Sequence, residues 1–230
     1  MEFDWSVIHD NFTYLLWGRL ADGEPGGVLL TLIMAASAGV LALVFGVLMA
    51  ALVWRFGGWT RKILFIWASF IRGIPLIFVI FWLYFLLPVV FGGSIPGPMT
   101  VILALAWFTS AAVMHSTLAG LEALPRGQTE AGIASGMSDG KVLLFVLLPQ
   151  AWPNLLPSYL GLLISLVKDT SLAFIVNVPE LTTVAGQVNN RVQIYPAEIF
   201  LLVGLMYYLL CASLAYLAGK SIKRRQGLRT

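Results

Sequence analysis

The 230-residue sequence is 59% hydrophobic and 11% charged, with a formal net charge of +3. A soluble domain carries roughly 25% charged residues, so this composition excludes an ordinary water-soluble fold and indicates a membrane protein. The single cysteine, Cys211, excludes an intrachain disulfide and sits in an apolar run, where it reads as a packing residue. In chain order, residues 1–27 carry Asp4, Asp10, Asp22 and Glu24 with no basic n-region, so they do not read as a cleavable signal peptide. Within them Trp5, Ile8, Phe12, Leu15 and Leu16 recur at helical spacing. That pattern fits either an interfacial helix on the outer face or a helix packed on the rim of a bundle. Apolar runs of about 20 residues cross a bilayer. Five are expected: Val28–Trp54, Ile63–Phe91, Met99–Ala123, Asn154–Val178 and Ala197–Gly219. The expected fold is an all-α integral membrane bundle, 28–219, with a cytoplasmic loop at 124–152 and a basic tail at 220–230.

The positive charges set an orientation. One side of the spans holds Arg55, Arg61, Lys62, Arg126, Lys141, Lys220, Lys223, Arg224, Arg225 and Arg229. The other holds Arg19 and Arg191, while Arg72 and Lys168 lie within spans. The positive-inside rule then puts the C-terminus and the 124–152 loop in the cytoplasm and the N-terminus outside. The chain shows no internal repeat. Transporters often place their site between two repeats, so a pathway through this chain needs a second copy or a related chain.

Ionisable residues inside spans cost about 2.5–3.5 kcal/mol each on insertion scales. Arg72 is followed by Gly73 and Pro75. Proline removes a backbone donor and breaks a straight helix, and a discontinuous helix exposes backbone groups to a polar substrate. Arg72 either lines such a pathway or anchors the bundle through carbonyls. Lys168 and Asp169 are adjacent, so on a helix they point about 100° apart and each needs another partner or water. With Thr170 and Ser171 they form either a pathway lining or a structural polar cluster. His115, among Ser110, Ser116 and Thr117, is either a satisfied interior histidine or a substrate contact.

Residues Glu130 to Pro149, EAGIASGMSDGKVLLFVLLP, are polar and glycine-punctuated. Gln128 to Ser135 suits a short helix with Glu130 near its favourable N-terminal end. Gly136 can turn the chain at positive φ. Ser138 or Asp139 can cap a second helix carrying Val142, Leu143 and Val146, which Pro149 then ends or redirects. The stretch resembles the cytoplasmic signature loop of permease subunits in binding-protein-dependent ABC importers. That pattern is E-A-A, three residues, G, nine residues, I-x-L-P. Here Glu130-Ala131 open it, Gly136 falls in place, and Val146-Leu147-Leu148-Pro149 close it, with Gly132 and Val146 as departures. Phe70 to Leu76, Lys168 to Leu172, Arg126-Gly127-Gln128 and Phe3-Asp4-Trp5 are similar to the polar amino acid branch. Val178 to Leu181 and Tyr195 to Phe200 are similar to the glutamate/aspartate permeases. Where that branch usually has a Glu and an Arg, this chain has His115 and Leu118.

The resemblance implies the type I importer fold and a permease subunit importing a polar amino acid, glutamate or aspartate, across the bacterial inner membrane. Glu130, Ala131, Gly136, Met137, Ser138, Leu148 and Pro149 would contact a dimer of ATP-hydrolysing subunits. Arg72, Pro75, His115, Lys168, Asp169, Thr170 and Ser171 would line the substrate pathway. A second permease subunit and a periplasmic binding protein complete the expected partners. The sequence has no phosphate-binding G-x-x-x-x-G-K-[ST] loop, so ATP and magnesium are expected on the partner and no cofactor on this chain. It also lacks a nucleophile motif or CxxC pair, and His9 and His115 lie at different depths, so it reads as a transport subunit and not an enzyme. The basic tail reads as a topology anchor or anionic-lipid contact, not a nucleic-acid patch. The alternative reading is a stand-alone channel or ion-coupled secondary transporter with Lys168, Asp169 and His115 as a proton relay.

Overall fold

The computed structural model describes residues 6–93, 95–192 and 196–226. The resemblance at Phe3-Asp4-Trp5 and at Tyr195 lies outside them, as does Arg229 of the basic tail. The described chain is almost wholly helical. Helix α1 (Ser6–Trp17) leads through a two-stranded hairpin, β1 (Gly18–Arg19) paired with β2 (Glu24–Pro25), into α2 (Gly27–Phe56). Then come α3 (Gly58–Gly73), α4 (Leu76–Phe81), a π turn at Trp82–Leu86, and α5 (Leu87–Phe91). Helix α6 (Gly97–Glu122) precedes the short α7 (Arg126–Ala134) and α8 (Asp139–Val142). A second π turn, Leu143–Leu147, joins α8 to α9 (Leu148–Asp169), which tightens into a 3-10 turn at Thr170–Val176. Helices α10 (Leu181–Val192) and α11 (Pro196–Gln226) complete the order.

Four stretches are long and apolar enough to cross a membrane: Gly27–Phe56, Gly97–Glu122, Asp139–Val176 and Ala197–Lys220. The pair Gly58–Gly73 and Leu76–Val90, bent by 99° at its break, makes a fifth if taken as one span. The expected second span is therefore not a single rod. It breaks at Ile74–Pro75, where proline has no N–H to give and holds the preceding residue extended: Ile74 has φ −102° and ψ 135°.

Two expectations about proline are corrected. Pro149 does not end a helix, and the fourth helical stretch begins at Asp139 instead of Asn154. The π turn explains why. The Leu148 N–H donates to the Leu143 carbonyl, five residues back, so the ladder widens just where the ring of Pro149 would meet the carbonyl of Phe145. The same device recurs before Pro88, where the Leu87 N–H donates to the Trp82 carbonyl. Helix α11 also runs on past Gly219 to Gln226, so the start of the basic tail is helical.

The chain folds as two compact units. The first takes Met1–Ala38, Leu76–Leu105 and Leu163–Leu214; the second takes Gly39–Pro75, Ala106–Leu162 and Ala215–Thr230. In the first, Leu15 of α1 is buried with Leu181, Val184, Ala185 and Val188 of α10 and Ile199, Val203 and Met206 of α11. Leu15 of α1 thus packs against α10 and α11, while Phe12 and Trp17 of the same helix stay exposed. Tyr14 donates to Gln187 and lies under the Arg191 guanidinium, fixing α1 to α10.

In the second unit, α2 meets α6 through small residues. A Cβ on Gly46 would lie 2.5 Å from Val113 Cβ and 2.8 Å from the Ser110 carbonyl. Ala42 and Ala50, one turn either side, are buried. Lipid offers as much apolar contact as a helix does, so close approach at small residues is what holds membrane helices together.

Candidate functional site

The two helices expected between Gln128 and Val146 are present; two kinds of contact join them to each other and a third ties α8 to α2. Helix α7 ends in a Schellman turn: the Met137 N–H donates to the Gly132 carbonyl at 3.1 Å and the Gly136 N–H to Ile133 at 2.9 Å. Gly136 has φ 79°, a left-handed conformation that costs other residues about 1–2 kcal/mol. The second contact is steric. A Cβ on Gly132 would lie 2.8 Å from Val142 Cγ2, so the departure from Ala at this position permits α7 to rest directly on α8. The third is electrostatic. Arg55 Nη1, in the last turn of α2, lies 2.9 Å from Asp139 Oδ2 at the start of α8. Each charge sits at the helix end whose dipole favours it.

Ser138 occupies the N-cap position of α8, with ψ 155°, but its side chain makes no capping bond. The expected cap is replaced by the Arg55–Asp139 pair. Gln150 Nε2 donates to Gln128 Oε1 at 3.1 Å, tying α9 to α7. Glu130, Ala131, Gly136 and Ser138 are exposed, as is Pro149, whereas Met137 and Leu148 are half-buried against the core of this unit. The pairing of Arg55 with Asp139 and the contact made by Gln150 were missed in the sequence. The partners' separation along the chain hides both.

The intramembrane polar residues divide between the units. Arg72, Pro75 and His115 belong to the second. Arg72 and Pro75 are exposed at the break between α3 and α4. The His115 ring meets Phe65 edge-on at 4.7 Å. Lys168, Asp169, Thr170 and Ser171 belong to the first unit, where α9 tightens into the 3-10 turn. Lys168 is exposed and acts electrostatically on the half-buried Asp169. Thr170 is fully buried and donates to the Val167 carbonyl at 2.7 Å, so its hydroxyl is committed to the protein.

A second polar centre in the first unit also escaped sequence reading. Glu180 is fully buried and caps α10. Its carboxylate accepts from the Thr182 and Thr183 N–H groups, each at 2.8 Å, and from the Thr183 hydroxyl at 3.1 Å. Tyr207 of α11 donates to it at 2.8 Å. The same phenol lies 3.1 Å from the Thr182 hydroxyl. Burial pushes the Glu180 pKa above the usual carboxylate range, against the opposing pull of these donors. Beside it, Gly27 N–H donates to the Pro179 carbonyl and Leu181 N–H to Thr31 Oγ1. The sequence signal was Glu180 three residues before Thr183, a helix-start pattern ahead of a polar stretch.

Comparison with known proteins places this architecture. Residues 42–226 match the family model described as binding-protein-dependent transport system inner membrane component. The probable glutamine ABC transporter permease protein GlnP of Bacillus subtilis (strain 168) is 34% identical over 87% of this chain and 92% of its own length. The glutamate/aspartate import permease protein GltK of Escherichia coli O6:H1 is 28% identical over 97% of this chain and 98% of its own. The fold matches a chain from the crystal structure of an amino acid ABC transporter with histidines, with TM-score 0.80 at 23% identity over 97% of this chain and 100% of that one. The apolar spans, the broken helix and the matched residues lead to one conclusion: the chain belongs to the family of binding-protein-dependent transport system inner membrane components, the multi-pass permease subunits of ABC importers.

Proposed function

We propose that this chain is half of the pore of an ATP-driven importer for a polar amino acid, and that residues 126–147 are its docking surface for the ATP-hydrolysing partner. The observation that carries the docking role is the fixed angle of α7 against α8. The Schellman turn and the glycine contact join α7 to α8, and the ion pair ties α8 to α2, while Glu130, Ala131, Gly136 and Ser138 stay exposed. A connector would need none of these. Helix α9 continues from this element for 22 residues to Asp169, about 33 Å at 1.5 Å per residue. A displacement of the docking pair is thereby carried along one helix to Lys168 and Asp169.

The other half of the pore is a second copy or a related permease, since five spans without an internal repeat enclose no site of their own. A pair of ATPase subunits docks inside, with the C-terminus, and a binding protein delivers substrate outside, with the N-terminus. Relatives are named for glutamine, for arginine and for glutamate/aspartate, and a polar amino acid is what these share. Arg72 and Lys168 against Asp169 favour the acidic members, glutamate and aspartate.

The test is to purify the whole complex, reconstitute it in vesicles with its binding protein, and measure ATP hydrolysis and uptake with glutamine, glutamate, aspartate and arginine in turn. Hydrolysis and uptake should rise together for at least one of them, most for glutamate or aspartate. Uptake that proceeds without ATP would contradict the reading and favour an ion-coupled transporter. Stimulation by glutamine or arginine alone would overturn only the acidic preference.

A further inference from the structure

We propose that Arg55 and Asp139 form a clasp that fixes the docking pair to α2, so that they act as positioning residues for coupling and not as part of the docking face. The inference rests on the docking reading above. Beside the ion pair, α8 and the π turn meet α2 in an apolar core: Val142, Leu143 and Leu147 cluster with Ala42, Val47, Ala51 and Trp54. Such contacts are non-directional and permit sliding. The N-terminus of α8 has no side-chain cap. The Arg55–Asp139 pair, at 2.9 Å, adds a directional side-chain contact between α2 and the docking pair.

Both side chains remain partly exposed, 51% for Arg55 and 35% for Asp139. An ion pair of that exposure adds little to stability. Its value lies in holding one register, which makes a movement of α8 a movement of the end of α2. A control lies nearby. Arg61 pairs with Glu122 at 2.7 Å and joins α3 to α6 without touching the docking pair.

The experiment uses the reconstituted complex, with uptake from an equimolar mixture of radiolabelled glutamine, glutamate, aspartate and arginine divided by ATP hydrolysed. Arg55→Gln and Asp139→Asn should each lower this ratio about three- to tenfold with the ATPase still bound. The double variant should be no worse than either single one, because both remove the same contact. Arg55→Lys should restore at least half of the ratio, and Arg61→Gln should leave it unchanged. An unchanged ratio in the single variants overturns the clasp, as does a double variant whose loss is the product of the two. Gly136→Leu separates the two levels of the argument. If it neither releases the ATPase nor lowers the ratio, the docking reading is at fault. If it does either while the clasp variants do nothing, the clasp alone fails.

Discussion

The docking pair and the surroundings of Glu180 both join helices through polar contacts, and they are built in opposite ways. Around Glu180 the contacts are buried or half-buried: one carboxylate takes four donors, and the Tyr207 phenol ties α11 to α10. Around α7 and α8 the polar contacts are exposed or partly solvated, and the pair rests on a glycine turn, the buried Gly132–Val142 contact and a partly solvated ion pair. Buried polar networks fix one geometry because each lost partner leaves a desolvated group behind. Exposed pairs are cheap to disturb. Elements that move in function are drawn from the low-stability end of a structure, and the proposed coupling element has that construction.

The largest expected effect would break the buried side of this comparison. Glu180→Ala removes the cap of α10 and strands two backbone N–H groups and a phenol, which should cost about 3 kcal/mol. A lower thermal unfolding temperature of the detergent-solubilised protein, with lower complex yield, checks it. Stability close to the parent's would show that the network is ornamental.

A smaller effect sharpens the exposed side. Gly132→Ala places a methyl 2.8 Å from Val142 Cγ2, a local overpacking of about 1–3 kcal/mol. Uptake per ATP should fall with little change in unfolding temperature, and Val142→Ala in the same chain should restore it. Failure of that rescue would mean that α7 does not rest on α8 during transport.

How much was legible follows the same division. Long apolar runs announce the spans because burial in lipid demands them. Pro75 announced the break, and Gly136 the turn, because each has a backbone preference of its own. The interior of α10, Thr182 to Asn190, was not read as helix, since Thr, Val, Gly and Asn are indifferent helix formers. Its stability comes from Glu180 and from Leu15 and Met206, far off in the chain. Arg55 was read only as a charge and Asp139 only as a candidate helix cap, because their pairing joins residues far apart in the chain. Pro149 misled in the other direction: its local preference is real, and five residues of π turn absorb it.

The smallest expected effect is a pH dependence. Burial raises the Glu180 pKa in the fold above its unfolded value. The native state therefore holds this proton more readily than the unfolded one. The stability that it contributes is fully present below the ordinary carboxylate range and is lost as pH rises through the raised value. Unfolding temperature should decline over that window in the parent and stay flatter in Glu180→Gln. Identical slopes would assign the dependence to other groups.

The central claim is that residues 126–147 couple this permease to an ATP-hydrolysing partner, and Gly136→Leu tests it most directly. The left-handed φ of 79° at Gly136 closes the Schellman turn, and a leucine there opens it. With the variant inserted normally in the membrane, the account predicts that the ATPase is released, or that it stays bound and hydrolyses ATP without uptake. Normal ATPase retention together with a normal ratio of uptake to hydrolysis would contradict it.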